Sequence, residues 1–161
     1  MSVSCSLLHN ILDIDHRKNL DWDQKGYNLI DKKIMKHQVS NAKKQDYLEL
    51  IEVWEKSVQA THDFLPDKEI EQLKLLILDK YFDAVLIKCI KNIEGKIIGF
   101  SGVANHKIEM LFVAPAAQGQ GIGSALCQYA IEYQEATKVD VNEQNPRARE
   151  FYEKIGFNVV S

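Results

Sequence analysis

Three glycines at alternating positions, Gly119, Gly121 and Gly123, follow Gln118 and stand between an apolar run and a helical pattern. Glycine lets the backbone approach a ligand closely and take conformations that other residues avoid. The first turn of a helix adds N–H groups with no intrahelical acceptor, at the positive end of the helix dipole. Residues 119–124 can therefore aim a run of N–H groups at a pyrophosphate. The same glycines also suit a tight strand-to-helix connection that serves packing alone, and both readings stand at this point. Two familiar phosphate loops are excluded by spacing. A triphosphate loop ends in Gly-Lys-Ser/Thr, whereas Gly123 is followed by Ser124 and Ala125. The dinucleotide pattern GxGxxG fails because the glycines here follow GxGxG.

Glu109 is a second chemically suggestive residue. It is a lone carboxylate in an apolar run of Ile108, Met110, Leu111 and Phe112, and a buried charge needs a partner or a purpose. Other groups carry less. Cys5, Cys89 and Cys127 are odd in number and form no CxxC pair, so neither a disulfide framework nor a zinc site is expected. His9, Asp13, Asp15 and His16 match no established metal spacing and read as a solvated helix face. No metal is expected.

The elements that must position these groups belong to one domain. The chain has 161 residues, enough for a core that needs no disulfide or metal staple. Apolar residues at 45% and charged residues at 27% argue against a largely disordered chain. A net charge of −3 gives no basic footprint, so no nucleic-acid partner is expected. No apolar run approaches the ~18 residues of a membrane span. Residues 3–12 lack a basic leader, so a cytoplasmic location is expected, with no membrane partner.

Residues 1–33 hold a short amphipathic stretch and then a polar run without clear period, read as an appended helix and arm or a poorly ordered tail. A short strand is predicted over 33–39. A helix over 43–60 presents Leu48, Ile51, Trp54, Glu55 and Val58. After a break at 61–66, a second helix to about 80 turns Ile70, Leu73, Leu76 and Ile77 inward. Strands at 84–91 and 96–104 form a hairpin around the turn at Gly95, and a third strand covers 106–113. The glycine turn opens a helix to about 135, with Ile122, Leu126, Tyr129, Ala130 and Tyr133 as its stripe. A strand at 138–142, a helix at 146–154 and a strand from 157 follow. Mixed order of this kind means an α/β or α+β sheet with helices on its faces.

The run Leu111-Phe112-Val113-Ala114-Pro115, then Gln118-Gly119-Gln120-Gly121-Ile122-Gly123, resembles the acetyl-coenzyme A signature of the GNAT N-acetyltransferase superfamily, Gln/Arg-x-x-Gly-x-Gly/Ala. Residues 141–148 and 151–157 resemble its later motif, in which an Asn and a Tyr seven residues apart flank the cofactor thiol; Asn145 and Tyr152 have that spacing. The stretch from Trp54 to Leu65, with His62 and Asp63, is similar to a subgroup of bacterial acetyltransferases acting on small molecules or peptides. The resemblance covers about residues 34–160. It implies a mixed, mostly antiparallel sheet splayed at the cofactor site, with helices on both faces, in a domain over 34–161.

The implied reaction is direct acetyl transfer from acetyl-CoA to a primary amine of a small molecule or a peptide. A binding module with little catalysis, and a nucleotide-phosphate protein of another fold, are the competing readings. The pyrophosphate would sit on Gln118, Gly119, Gln120, Gly121, Ile122, Gly123 and Ser124. The arm would pair with Leu111, Phe112 and Val113, and a backbone N–H near Val113 would polarise the thioester carbonyl. Asn145 and Tyr152 would flank the thiol. Tyr152, by resemblance, donates the proton to the leaving thiolate, unless it serves helix packing. An amine attacks only when neutral, so a proton must leave it. Glu109 ranks first as its acceptor, His62 second and water third. Glu109 also suits substrate orientation, and His62 also suits bracing its loop.

The family core usually ends with a seventh strand in a hairpin with the sixth. Four residues follow Phe157, so a missing C-terminal strand is expected. An unpaired strand edge calls for a cover. Residues 1–33 are one candidate, and a partner chain, giving a homodimer, is another.

Overall fold

The computed structural model describes residues 17–22, 37–61, 65–142 and 145–160. Its strands are β1 (Arg17–Trp22), β2 (Val39–Asn41), β3 (Leu86–Lys91), β4 (Ile97–Ala104), β5 (Lys107–Val113), β6 (Lys138–Asn142) and β7 (Phe157–Val160). The helices are α1 (Tyr47–Thr61), α2 (Asp67–Leu76), α3 (Ile122–Tyr133) and α4 (Pro146–Ile155). One sheet orders the strands β2-β3-β4-β5-β6-β1-β7. Its neighbours are antiparallel except β5 and β6, which run parallel. The expected mixed, mostly antiparallel sheet is therefore present.

The apolar periods explain the layers. Successive residues of a strand point to opposite faces. Phe100 and Phe112 join the cluster of α1 and α2, with Trp54, Val58, Leu73 and Phe82. Leu111 and Val113 pack instead with Ile122, Ala125 and Leu126 of α3. Phe100 is fully buried, its ring edge-on to Phe82 at 5.8 Å. Burying one such aromatic ring contributes roughly 1.5–3 kcal/mol. A third cluster joins α3 and α4 to β6 and β7 through Cys127, Ala130, Val139, Val141, Tyr152 and Phe157. Helix α3 can lie close because Gly99 of β4 has no side chain: a Cβ there would meet Ile122 Cγ2 at 2.7 Å.

Several sequence expectations are corrected in detail. Leu48 is exposed, and the inward face of α1 is Leu50, Ile51, Val53, Trp54 and Val58. Leu76 and Tyr133 are also exposed. Tyr133 stacks at 4.8 Å on Tyr129 along the helix, which satisfies the 3.6 period without burial. A tight turn, Lys44–Asp46, precedes α1, and α2 passes into a π-helical turn over Ile77–Tyr81. The strand expected at 33–39 lies at Val39–Asn41; residues 33–36 fall outside the described residues.

Strand β1 lies within the segment expected as an extension. It pairs antiparallel with β6 from Arg17↔Asn142 to Asp21↔Lys138. Its other side pairs antiparallel with β7 from Asn19↔Val160 to Trp22↔Phe157. The order β6-β1-β7 thus separates two strands that α4 connects in sequence.

Candidate active site

The parallel ladder between β5 and β6 consists of Lys107↔Lys138 and Ile108↔Val139 and ends there, while both strands continue. Beyond Ile108 the sheet opens into a split. Lys107 and Asp140 form an ion pair across its closed end, joining the two strands where they are still adjacent. Charge-assisted pairs of this kind are the stronger hydrogen bonds of a sheet.

The wall of the split on β5 follows from the β4–β5 register. The Ala114 N–H donates to the Ile98 carbonyl, and Gly99↔Val113, Phe100↔Phe112 and Ser101↔Leu111 follow in register. Hydrogen-bonded and non-bonded pairs alternate along an antiparallel ladder. Ile98/Ala114 and Phe100/Phe112 are thus the bonded pairs. The backbone groups of Leu111 and Val113 point away from β4, toward the split. Two extended residues with outward N–H and C=O groups can take an added amide-bearing chain as a further strand.

Glu109 is buried in β5, 4% exposed. Met110 pairs with Gly102 and Ile108 with Val103, so Glu109 is the extra residue of a β-bulge. Bulges beside active sites re-aim a side chain. Strict alternation, which would put Glu109 on one face with Leu111 and Val113, is interrupted here. Residues 108–110 are consecutively buried as a result.

The glycine turn sits beyond the open end. Pro115–Ala117 forms a tight turn, and Gly119 (φ +80°) and Gly121 (φ +83°) are left-handed. Gly121 caps α3, and its carbonyl accepts from the Ala125 N–H at 3.0 Å. The N–H groups of Ile122, Gly123 and Ser124 have no acceptor within the helix. The chain contains no Lys or Arg between Ile108 and Thr137, so backbone N–H groups and the helix dipole supply the positive potential of this loop. Gly123 faces Phe151 and Val113: a Cβ there would stand 3.5 Å from the Phe151 ring and 3.6 Å from Val113 Cγ2. Phe151 of α4 is thus a wall residue of the site that sequence spacing did not single out. These contacts separate the two glycines. Gly121→Ala is expected to lower Tm by about 2–8 °C, since a left-handed non-glycine residue costs about 1–2 kcal/mol. Gly123→Ala is expected to shift it by less than about 2 °C, because its Cβ meets only ordinary contacts. Thermal melts of the two variants check the contrast.

On α4, Tyr152 is 6% exposed and lies in the cluster that spans the split, with Ile108 of β5 and Val139 and Val141 of β6. Its ring meets Phe151 at 5.0 Å and Phe157 at 5.8 Å, both edge-on. Asn145 caps α4: its side-chain oxygen accepts from the Ala148 N–H at 3.1 Å. The structure therefore gives Asn145 a defined structural job at the site's border. His62, and the residues 9–16 weighed for a metal, lie outside the described residues. Among the described residues no group of three or more His, Cys, Asp or Glu could hold a metal. Burial pushes the Cys127 thiol well up. It also raises the Cys89 thiol, partly countered by the Ser40 hydroxyl. Neither is poised as a thiolate nucleophile. Among the described residues no helix is long and apolar enough to cross a membrane.

A sheet opened between two parallel strands, with an amide-presenting edge and a glycine loop at its mouth, suits an acyl-CoA, its amide-bearing arm along the edge and its pyrophosphate on the loop. The comparisons with known proteins agree. Residues 85–159 match the acetyltransferase (GNAT) domain. The peptidyl-lysine N-acetyltransferase YjaB of Salmonella typhimurium is 36% identical over 111 residues, 69% of this chain and 76% of that protein. The solution structure of apo-form YjaB from Escherichia coli superposes with a TM-score of 0.66 at 29% identity, covering 78% of this chain and 84% of that one. A Thermoplasma acidophilum PaiA N-acetyltransferase, crystallised with coenzyme A, shares the fold at a TM-score of 0.64 and 22% identity, over 78% of this chain and 92% of that one. The chain belongs to the GNAT acetyltransferase family, whose members transfer acetyl from acetyl-CoA to an amine, and it is an acyltransferase.

Proposed function

We propose that this chain acetylates lysine side chains of peptides or proteins, drawing on acetyl-CoA held in the split. The observation that carries the reading is the split itself, with Leu111 and Val113 presenting backbone groups to its interior and the glycine loop at its mouth. The peptide acceptor is supported by the similarity to a peptidyl-lysine N-acetyltransferase over two thirds of this chain.

Each residue has a task in this scheme. Gln118 to Ser124 hold the pyrophosphate through backbone N–H groups. Leu111 and Val113 pair with the amide-bearing arm, and Phe112 fixes their direction by bonding to β4. The Val113 N–H, aimed into the split, stabilises negative charge developing on the thioester oxygen. When bound, acetyl-CoA supplies the activated acetyl group as a thioester. Glu109, directly or through a water, takes the proton that the lysine ammonium must lose before its nitrogen can attack. The N–C bond forms as the C–S bond breaks, and Tyr152 donates its phenolic proton to the departing thiolate. A phenol of pKa about 10 is protonated at neutral pH, as this role requires. His62, in the connection between α1 and α2, is the second candidate base.

The test follows free thiol released from acetyl-CoA in the presence of lysine peptides, N-terminally blocked peptides lacking lysine, and polyamines. Mass spectrometry locates the acetyl group. Turnover confined to lysine peptides is the expected result. Turnover on polyamines alone would make the acceptor a small molecule, and thiol release without any acetylated amine would overturn the reading.

A further inference from the structure

The glycine loop lacks cationic side chains, so its grip on a diphosphate depends on where its N–H groups point. The Gln120–Gly121 peptide turns about ψ of Gln120 and φ of Gly121, and glycine makes that rotation inexpensive. Type I and type II turns differ chiefly in the orientation of their central peptide, and a glycine after it admits both. Something outside the loop must choose the orientation.

His37 is placed to do so. Its Nε2 lies 2.8 Å from the carbonyl oxygen of Gln120, eighty-three residues away. A carbonyl only accepts, so Nε2 carries the proton and donates. The ring also stands over Gly121, whose Cβ position would be 4.0 Å from the same nitrogen. The ring's position is anchored from below. Val39, two residues on at the start of β2, packs into the cluster of Ala117, Ile122, Ala125 and Leu126 beneath the loop. Val39 thus ties the chain just after His37 to the base of the loop.

We infer that His37 is a positioning residue for the cofactor: by holding the Gln120 carbonyl it turns the Gly121 N–H toward the bound pyrophosphate. The step rests on planarity. A trans peptide carries its C=O and N–H on opposite sides of one rigid plane. Fixing the Gln120 oxygen toward His37 therefore fixes the Gly121 hydrogen on the far side of that plane. Loss of the imidazole frees the plane to turn, and the cradle then loses one oriented donor for part of the time. This inference rests on the reading that residues 118–124 hold the pyrophosphate.

Calorimetry separates the two. CoA, which carries the pyrophosphate, and pantetheine, which lacks it, are titrated into wild type, His37→Ala and His37→Gln. Wild type is expected to bind CoA far more tightly than pantetheine; equal affinities would overturn the loop reading itself. With that reading intact, His37→Ala is expected to weaken CoA about fivefold, the worth of one hydrogen bond. Pantetheine binding is expected to stay within about twofold, as is kcat with a lysine peptide. His37→Gln, which keeps an N–H donor at similar reach, is expected to bind CoA within about twofold of wild type. Unchanged CoA affinity in His37→Ala overturns the inference. So does an equal loss for pantetheine, which would mark a general structural defect.

Discussion

Replacing Tyr152 with phenylalanine is expected to lower kcat about 100- to 1,000-fold, with the acetyl-CoA KM within about threefold of wild type. The substitution removes one oxygen and keeps the ring. The edge-on contacts to Phe151 at 5.0 Å and Phe157 at 5.8 Å are therefore retained, and so is the core of α4. In the proposed mechanism, what goes is the acid that neutralises the departing thiolate. An interaction made only as the C–S bond breaks lowers kcat and kcat/KM together, whereas a packing residue would lower Tm and leave the rate per folded molecule alone. Initial rates with a lysine peptide, alongside a thermal melt, tell these apart. A loss of less than about threefold would remove Tyr152 from the chemistry.

The second large effect is expected at β1. Leu20 pairs with Val139 on one side and Val159 on the other, so its strand is interior to the sheet. Leu20→Pro removes an N–H from that ladder and leaves a carbonyl unserved. At about 1–3 kcal/mol for a stranded partner, and 2–4 °C per kcal/mol in a chain of this size, Tm is expected to fall by about 2–12 °C. Deleting residues 1–22 is expected to go further and abolish cooperative unfolding, because β6 and β7 then present open edges to each other across a strand-wide gap. A deleted chain that melts as wild type does, with the same oligomeric state, would show that β1 contributes nothing to the fold.

The elements that hold the site were largely legible. Strands 138–142 and 157–160 and the helix from Pro146 come at their expected positions, because β-branched runs, a proline at the first helical position and Gly156 mark them plainly. Gly119, Gly121 and Gly123 could be read as a loop from spacing alone. The bulge at Glu109 could not: a bulge is a property of two paired strands, and nothing in one strand's alternation announces it. β1 escaped for a related reason. Asn19 and Asp21 are poor strand formers, and only Leu20 and Trp22 hint at alternation. Its strand character comes from partners on both sides. His37 lies far from the loop in sequence, and a histidine before a short strand carries no pattern of its own.

The place of β1 also has a kinetic side. Arg17–Trp22 leaves the ribosome well over a hundred residues before the segments that flank it, 138–142 and 157–160. Until the first of these is made, β1 has neither of its ladders to join, and its second side stays open until the last. The loop that must close is nearly the whole chain, and contacts of such separation slow folding. The β2–β3–β4–β5 meander, by contrast, pairs with near neighbours in sequence once β3 is made. The sheet is thus expected to form from its β2–β5 side, with β6, β1 and β7 added last. In the interval β1 is an unpaired strand exposed to whatever other edges the cell offers.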